Sequence, residues 1–218
     1  MGRPRAHDEA TAVALLDAAE SLLASGGPAA VTVRAVADAH GTTTRAVYSL
    51  FGGKAGLLEQ LAGRGYELLT RLVTGLPETD DPAADLVAAG VHGFRRFAED
   101  RPHLFRLTFE EVTAQTVSDP AVAASARDSY LALARWISRA REARAIDSRP
   151  RAEVAFAFHS CCVGLAVTAL SRRPPPTGPG FWSTIEVADE QLWESTLTAL
   201  VAGMAPAKRR EQRAQRTR

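Results

Sequence analysis

Residues 32–54, TVRAVADAHGTTTRAVYSLFGGK, decide the fold. A threonine before a helix can accept a hydrogen bond from a first-turn backbone N–H, so Thr32 and Thr43 each predict a helix start. Gly41 lies between them, where a left-handed residue commonly ends a helix. Apolar residues recur at helical spacing after each threonine. The stretch therefore predicts a helix–turn–helix, whose second helix lies in the major groove of DNA.

Residues 32–58 resemble the DNA-binding domain of the TetR/AcrR transcriptional regulators. The shared pattern is T-V-R-x-V-A-x-x-x-G-T-T-x-x-A-V-Y-x-x-F-x-x-K-x-x-L-L, and the spacing of Tyr48, Phe51 and Lys54 is its specific part. The resemblance is strong over the first quarter of the chain and continues beyond it in length and helical character. It implies an all-α protein with an N-terminal three-helix helix–turn–helix domain and a C-terminal helical ligand-binding and dimerisation domain.

Composition agrees with a helical protein of one or two modest domains. The chain has 218 residues, of which 46% are hydrophobic, and β-branched runs bounded by turn residues are scarce. The formal net charge is +1. Residues 1–64 carry six basic and six acidic side chains, so their charges cancel. DNA binding must therefore come from placed contacts rather than from a strong positive field.

Three regions are predicted along the chain: a DNA-binding domain (1–54), a helical ligand-binding and dimerisation domain (55–206) and a basic, disordered tail (207–218). The tail carries six basic residues and one acidic residue. A basic arm at residues 1–7 either touches DNA or has no role. Further helices are predicted over residues 8–25, 54–74, 83–100, 119–143, 150–170 and 189–204, with a loop at 174–180.

Two of these helices carry specific expectations about packing. In the first, we expect Val13, Leu16, Ala19 (or Leu22) and Leu23 to form the buried stripe. In the helix over 54–74, Gly63 and Gly65 weaken the helix and predict a soft point between the two domains.

The predicted DNA-contacting residues lie around the second helix of the motif. Arg45, in its first turn, is the candidate for a bidentate contact to guanine, and it departs from the small residue common in relatives. Tyr48 and Lys54 match family positions that contact phosphates, although a core aromatic and a solvated helix cap are the alternatives. Leu50 stands where relatives often have histidine. The full predicted set is Thr32, Thr43, Thr44, Arg45, Tyr48, Ser49 and Lys54.

The resemblance implies a second domain that binds a small apolar or amphipathic effector. Such pockets are mostly apolar with a few polar anchors. Aromatic residues at helical spacing are equally typical of a core, and His159 suits either setting. The predicted effector-binding residues are Phe94, Phe97, Phe105, Phe109, Trp136, Phe158 and His159.

A homodimer is also predicted, because two recognition helices must reach successive major grooves. The resemblance implies a four-helix interface formed by the helices over 150–170 and 189–204 of each protomer. Its predicted residues are Gly164, Leu165, Leu170, Trp193, Leu197 and Leu200.

Other classes of site are not indicated. Cys161 and Cys162 are adjacent and predict small buried side chains rather than a disulfide or a redox sensor. No histidine and cysteine spacing predicts a metal site, and no cofactor is expected. We expect no signal peptide and no membrane span, which predicts a cytoplasmic protein.

Together these features predict a ligand-responsive transcriptional regulator, a repressor by family resemblance, that binds a palindromic operator in double-stranded DNA. Two alternatives stay open: a DNA-binding regulator without a small-molecule effector, and an all-α enzyme. An enzyme would need a nucleophile and base, or a metal set, and the five histidines lie in separate segments without a motif.

Overall fold

The structure is a computed structural model that describes residues 5–112, 117–171 and 189–206. Every regular element within these ranges is a helix, which confirms the predicted all-α class. In chain order they are α1 (Arg5–Ala30), α2 (Val33–His40), α3 (Thr44–Phe51), α4 (Lys54–Thr74), α5 (Pro82–Ala88), π1 (Ala89–Arg95), α6 (Arg96–Asp100), α7 (Pro102–Arg106), π2 (Leu107–Glu111), α8 (Pro120–Glu142), α9 (Arg151–Ser171) and α10 (Asp189–Gly203).

Most predicted helix bounds agree with the structure to within one or two residues. There are two exceptions. The helix predicted over 8–25 is Arg5–Ala30 in the structure, with a non-helical backbone at Gly27, close to the predicted end. The helix predicted over 83–100 is divided into α5, the π-helix π1 and α6. The loop predicted at 174–180, the tail at 207–218 and the first four residues of the N-terminal arm lie outside the described residues.

The chain divides into two compact units. The first comprises residues 1–67 and 101–127, and the second comprises residues 68–100 and 128–218. The first unit is larger than the DNA-binding domain predicted over 1–54, because α7 packs against α1 and Arg64 of α4 bonds to α1. α4 and α8 each begin in the first unit and end in the second.

The buried stripe of α1 differs from the predicted one. Leu15, Ala19 and Leu23 are at most 1% exposed, whereas Val13 is 54% exposed. Successive burial at every fourth residue places one row of side chains against the domain core. The prediction was therefore wrong for Val13. Apolar residues occur on more than one side of α1, so more than one set of them fits a helical period and the spacing alone did not identify the buried set.

The glycines of α4 permit close packing within the first unit. A Cβ atom at Gly65 would lie 2.0 Å from Thr108 Oγ1, and one at Gly63 would lie 3.2 Å from Val122 Cγ2. Both glycines are buried. Next to them, the hydroxyl of Tyr66 donates to the backbone oxygen of Thr108 at 3.2 Å. The two glycines thus lie in a tight helix contact, and the soft point between the domains stays a prediction.

The second unit has a core built around π1, α9 and α10. Gly90 in π1 gives room to its neighbours, because a Cβ atom there would lie 2.3 Å from Leu197 Cδ1 and 3.3 Å from Cys162 Sγ. Phe158 is also fully buried in this contact. A glycine in the π-helix thus allows α9 and α10 to approach its backbone.

A polar cluster joins the first turns of α5 to helix α8. Asp85 is 4% exposed, and its carboxylate accepts hydrogen bonds from Thr79 N at 3.0 Å and from Thr79 Oγ1 at 2.7 Å. The guanidinium of Arg139 also donates to this carboxylate and to the backbone oxygen of Thr79. Burial raises the pKa of Asp85, but the bonds from Thr79 and Arg139 outweigh it and hold that pKa below its usual value.

α9 carries apolar side chains on all of its sides, with polar residues such as Glu153, Ser160 and Thr168 among them. Among the described residues it is the helix long and apolar enough, by length and composition, to cross a membrane, and 28% of its most apolar window is buried. A core helix passes the same test, and one side of α9 packs against π1, α6 and α10. Its opposite side includes Phe156, which is 75% exposed.

Candidate nucleic-acid interface

The local geometry of the helix–turn–helix follows the predicted capping. Thr32 accepts a hydrogen bond from Ala35 N at 3.1 Å, and Thr43 accepts one from Ala46 N at 3.3 Å. Gly41 ends α2 with a left-handed backbone (φ 69°). Its N–H and that of Thr42 donate to carbonyls of the last turn. The side-chain caps and the glycine therefore set where α2 ends and α3 begins.

α3 divides into a buried face and an exposed face. Val47 is fully buried, and it anchors α3 in the core of the first unit. Four predicted DNA-contacting residues occupy the exposed face at the spacing i, i+1, i+4 and i+5, which is one side of a helix. They are Thr44, Arg45, Tyr48 and Ser49.

Tyr48 is an exposed aromatic residue rather than a core residue. It is 58% exposed, and one edge of its ring lies beside Gly53, where a Cβ atom would be 3.3 Å from Tyr48 Cε1. Gly53 has a positive φ of 127°, a conformation that other residues rarely adopt. The turn after α3 therefore supports the ring and leaves its hydroxyl end in solvent.

Lys54 has a structural partner. Its ammonium group donates to the backbone oxygen of Pro28 at 2.8 Å, which ties the start of α4 to the end of α1. The ammonium group has three donors, so this bond leaves capacity for a phosphate. Lys54 and Thr32 are both exposed.

One exposed basic residue of the motif was not in the predicted set. Arg34 lies in the first turn of α2, two residues after Thr32, and its side chain is 88% exposed. It pairs with Asp38 at 3.7 Å. The start of α2 is a candidate phosphate site, because a helix N-terminus attracts anions. A basic residue placed there was the sequence signal that could have identified Arg34 as a DNA-contacting residue.

Ion pairs hold the supporting helices behind this motif. Arg64 of α4 bonds to Asp17 at 2.7 Å and to Glu20 at 3.1 Å, both on α1. Arg101 reaches the other oxygen of Glu20 at 3.1 Å. These contacts join three segments of the first unit and orient the helices on which α2 and α3 rest.

The predicted effector-binding residues are divided between the two compact units. Phe105 and Phe109 belong to the first unit, where their ring centroids are 5.0 Å apart. The other five belong to the second unit. There Trp136 donates from Nε1 to Val73 O at 3.2 Å, which joins α8 to α4. The remaining members are Phe94, Phe97, Phe158 and His159.

The side chains around His159 make an apolar setting. Its ring lies edge-on to Phe94, with centroids 5.7 Å apart, and burial lowers its pKa, so it is neutral at pH 7. Burial likewise raises the pKa of Cys161, and raises that of Cys162 well above its usual value. The thiolate is thereby disfavoured, which supports the interpretation of this pair as small apolar residues.

The residues predicted for the dimer interface fall into two groups. Trp193 and Leu197 are at most 1% exposed and belong to the core of the second unit. Gly164 is exposed, and a Cβ atom there would have no neighbour within 4 Å. Three others are partly exposed: Leu165, Leu170 and Leu200.

Comparisons with solved structures find the same fold. A protein of unknown function from Rhodococcus sp. RHA1 is 19% identical, with a TM-score of 0.73 over 89% of this chain and 95% of that one. PfmR, a TetR family transcriptional regulator from Thermus thermophilus, is 19% identical, with a TM-score of 0.59 over 86% and 96%. SmeT, the repressor of the Stenotrophomonas maltophilia multidrug efflux pump SmeDEF, is 24% identical, with a TM-score of 0.58 over 88% and 91%.

Comparison with curated protein sequences gives no match. Two family models do match. The model of bacterial regulatory proteins of the tetR family covers residues 15–61, which include α2 and α3. The model of the tetracyclin repressor-like C-terminal domain covers residues 87–200, more than half of the chain. With a capped helix–turn–helix at its N-terminus and this helical C-terminal domain, the chain belongs to the TetR family of DNA-binding transcriptional regulators.

Proposed function

We propose that this protein is a dimeric repressor that binds a palindromic operator through α3 and is released from it by a small apolar or amphipathic effector. The observation that carries the proposal is the exposed face of α3. It presents two hydroxyl side chains, a guanidinium and a phenol on one side of a helix whose other side is fixed by Val47. A recognition helix needs this division between a rigid anchor and a free contact face.

Arg45 is the proposed base-reading residue. It lies in the first turn of α3, where base edges are reached, and its side chain forms no hydrogen bond or ion pair within the described residues. Its planar guanidinium matches O6 and N7 of guanine. Thr44 lies beside it and fits a thymine methyl group or a phosphate.

The remaining predicted residues are assigned to the DNA backbone. The hydroxyl of Tyr48 and that of Ser49 face the same side as Arg45, and the start of α2 at Thr32 offers backbone N–H groups to a phosphate. Lys54 uses one donor on Pro28 and offers the others. Thr43 holds the helix start in place through its cap. Such contacts fix the position of the protein on DNA without reading sequence.

Dimerisation follows from the apolar surface of α9. Phe156, Leu165 and Leu170 lie on a helix that carries apolar side chains on all sides and is only partly covered in the monomer. A second copy that covers this side with α9 and the outer face of α10, including Leu200, removes the apolar surface from water. Two copies also place two recognition helices on successive major grooves, about 34–36 Å apart.

The effector response is proposed for the second unit. Its aromatic residues Phe94, Phe97, Phe158 and His159 sit near π1, and π-helical turns often occur at functional sites. The two states proposed for the dimer differ in the spacing of their recognition helices, and one of them fits the operator. An effector that binds the other state more tightly shifts the population toward it and releases the protein from DNA. Repression agrees with SmeT, which shares the fold and is a repressor. A cytoplasmic location follows from access to chromosomal DNA.

The test is selection of bound sequences from a random duplex library with purified protein. We expect a palindromic motif with two half-sites. In Arg45→Ala, discrimination at one guanine of each half-site should fall by about 1–3 kcal/mol, or roughly 5- to 150-fold. Arg106→Ala is the matched control, since Arg106 lies on α7 outside the motif, and it should keep the motif unchanged. Absence of any enriched motif at low salt refutes the proposal.

The two alternatives make different predictions. A regulator without an effector binds the selected motif with an affinity that no compound in a screen changes. An enzyme turns over a substrate and has no affinity for the motif. Within the described residues, no group of three or more histidine, cysteine, aspartate or glutamate side chains could hold a metal ion.

A further inference from the structure

An open groove of about 850 Å³ lies within the second unit. We call it the α5–α10 groove, because most of its lining residues belong to α5 and α10, and the others include residues of π1, Ala143 and Ala145. Its floor is made of small apolar side chains. These are Pro82, Ala83, Ala84, Val87, Ala88, Val91, Ala143, Ala145, Val201, Ala202 and Ala205.

The polar residues of the groove are predominantly acidic. Among the described residues, four carboxylates line it together with His92 and Thr198, and no lysine or arginine does. Asp81 caps α5, and Glu190 pairs with Arg95 at 2.9 Å. Asp80 and Glu194 make no hydrogen bond or ion pair within the described part of the chain. The groove therefore combines an apolar floor with uncompensated negative charge at its edge.

The chain itself supplies a segment of matching charge at this position. α10 ends at Gly203, Ala205 lines the groove, and Pro206 is the last described residue. The twelve residues that follow, 207–218, carry six basic side chains and one acidic side chain. A strongly basic segment of the chain thus begins beside this acidic groove.

We propose that residues 207–218 dock in the α5–α10 groove of their own chain. Arginine side chains suit this groove because their methylene stems cover alanine surface while their guanidinium groups bond to carboxylates. Twelve residues span up to about 40 Å when extended, which gives the segment ample reach. A docked segment occupies the groove. Its net charge of +5 is then held by the carboxylates and does not bind DNA phosphates.

The shape of the groove favours this occupant over a small molecule. Small-molecule sites enclose most of their ligand in a mainly apolar lining, whereas this groove is only partly enclosed and four carboxylates line it. Exposed ion pairs are individually weak, at about 0–1 kcal/mol. A covalently attached segment binds at an effective concentration in the millimolar range, so several weak pairs suffice to hold it.

Carbodiimide cross-linking tests this placement, because the reagent joins a lysine to a carboxylate in direct contact. The chain has two lysines, Lys54 and Lys208. A second reporter, Arg216→Lys, keeps the charge and moves the test to the far end of the segment. We expect peptide mapping of the full-length variant to join position 216 to Asp80, Asp81, Glu190 or Glu194. A mixture of isotope-labelled and unlabelled protein shows whether the joined peptides come from one chain or two.

A binding measurement gives the affinity. A fluorescent peptide of residues 207–218 is titrated into protein that ends at Pro206. We expect about fivefold weaker binding to Asp80→Asn/Glu194→Gln, since two exposed ion pairs are lost. Asp100→Asn/Glu153→Gln removes the same charge outside the groove and should leave the affinity unchanged.

Three results overturn the proposal. The first is cross-links from position 216 that fall only outside the groove. The second is cross-linked peptides that pair a labelled with an unlabelled peptide in the share expected of two separate chains, which assigns the groove to the segment of a second copy. The third is equal peptide affinity for both double variants. If removal of residues 207–218 also weakens binding to duplex DNA and no groove cross-link forms, the segment is a DNA-binding arm instead.

Discussion

Gly65→Ala should destabilise the protein, although alanine is the better helix former. In the interior of α4, replacing glycine by alanine alone gains about 0.8–1 kcal/mol. The added Cβ atom would lie 2.0 Å from Thr108 Oγ1, 3.1 Å from Thr108 Cβ and 3.2 Å from Thr108 Cγ2. Rotation of the threonine side chain removes only the first of these clashes. It also breaks the bond from the Thr108 hydroxyl to Leu104 O, which is 2.8 Å long and buried.

The net effect is a balance of these terms. Overpacking of a well-packed site costs about 1–3 kcal/mol, and loss of the hydroxyl bond costs about 0.5–1.5 kcal/mol. After the gain in helix propensity, we expect the free energy of unfolding to fall by about 1–2 kcal/mol. Urea unfolding followed by circular dichroism measures this change. The measurement is repeated at two protein concentrations, because dimerisation contributes to apparent stability.

Two variants test the reasoning behind this number. Gly203→Ala is the control, since that exposed glycine at the end of α10 has no neighbour within 4 Å of a Cβ atom, and it should change the free energy of unfolding by less than about 1 kcal/mol. Adding Thr108→Ala to Gly65→Ala removes the clashing branches, so the double variant should be more stable than the sum of the single effects indicates. If Gly65→Ala is as stable as Gly203→Ala, the contact between α4 and π2 is not tight and the reasoning fails.

Three further predictions concern the turn, the buried carboxylate and the dimer. Gly41→Ala should lower the free energy of unfolding by about 1–2 kcal/mol through backbone strain alone, since its φ is 69° and no atom lies within 4 Å; Gly41→Asn should cost less in the same urea assay. Asp85→Asn should cost about 1.5–3 kcal/mol at pH 7. Because the fold lowers the pKa of Asp85, its contribution is fully present above the unfolded pKa near ~3.9 and is lost as pH falls from there through the folded pKa, so the difference in stability between the two proteins should shrink as the pH falls below about 4; a constant difference contradicts this. Phe156→Asp should convert the dimer to monomer in sedimentation velocity, whereas Ser171→Asp, at the exposed end of α9, should not.

The sequence was sufficient for the local structure of the helix–turn–helix. Its helix ends depend on interactions between residues three or four apart, such as Thr32 with Ala35 and Thr43 with Ala46. The identity of a capping threonine or a left-handed glycine therefore contains most of the information. The exposed face of α3 follows in turn, because fixing Val47 inward leaves the other side of the helix outward.

The second unit was harder to predict because its helices are apolar on more than one side. In α9 the apolar residues have no preferred face, so periodicity cannot tell which side packs in the monomer. The same limit applies to α10, where Trp193 and Leu197 are buried and Leu200 is partly exposed. The π-helix π1 was also missed, since its cause is the approach of other helices to Gly90 rather than a local pattern.

The charge balance of the first unit has a consequence for DNA recognition. Most of its cations already have partners: Arg34 pairs with Asp38, Lys54 bonds to Pro28, and Arg64 bonds to α1. Among the described arginine and lysine side chains of residues 9–67, Arg45 is the one without such a contact. A surface with little free positive charge gains little from counterion release, so non-specific binding should be weak and only mildly salt-dependent. Under these conditions a single bidentate contact contributes a larger share of the operator affinity, which is why Arg45→Ala is the decisive variant.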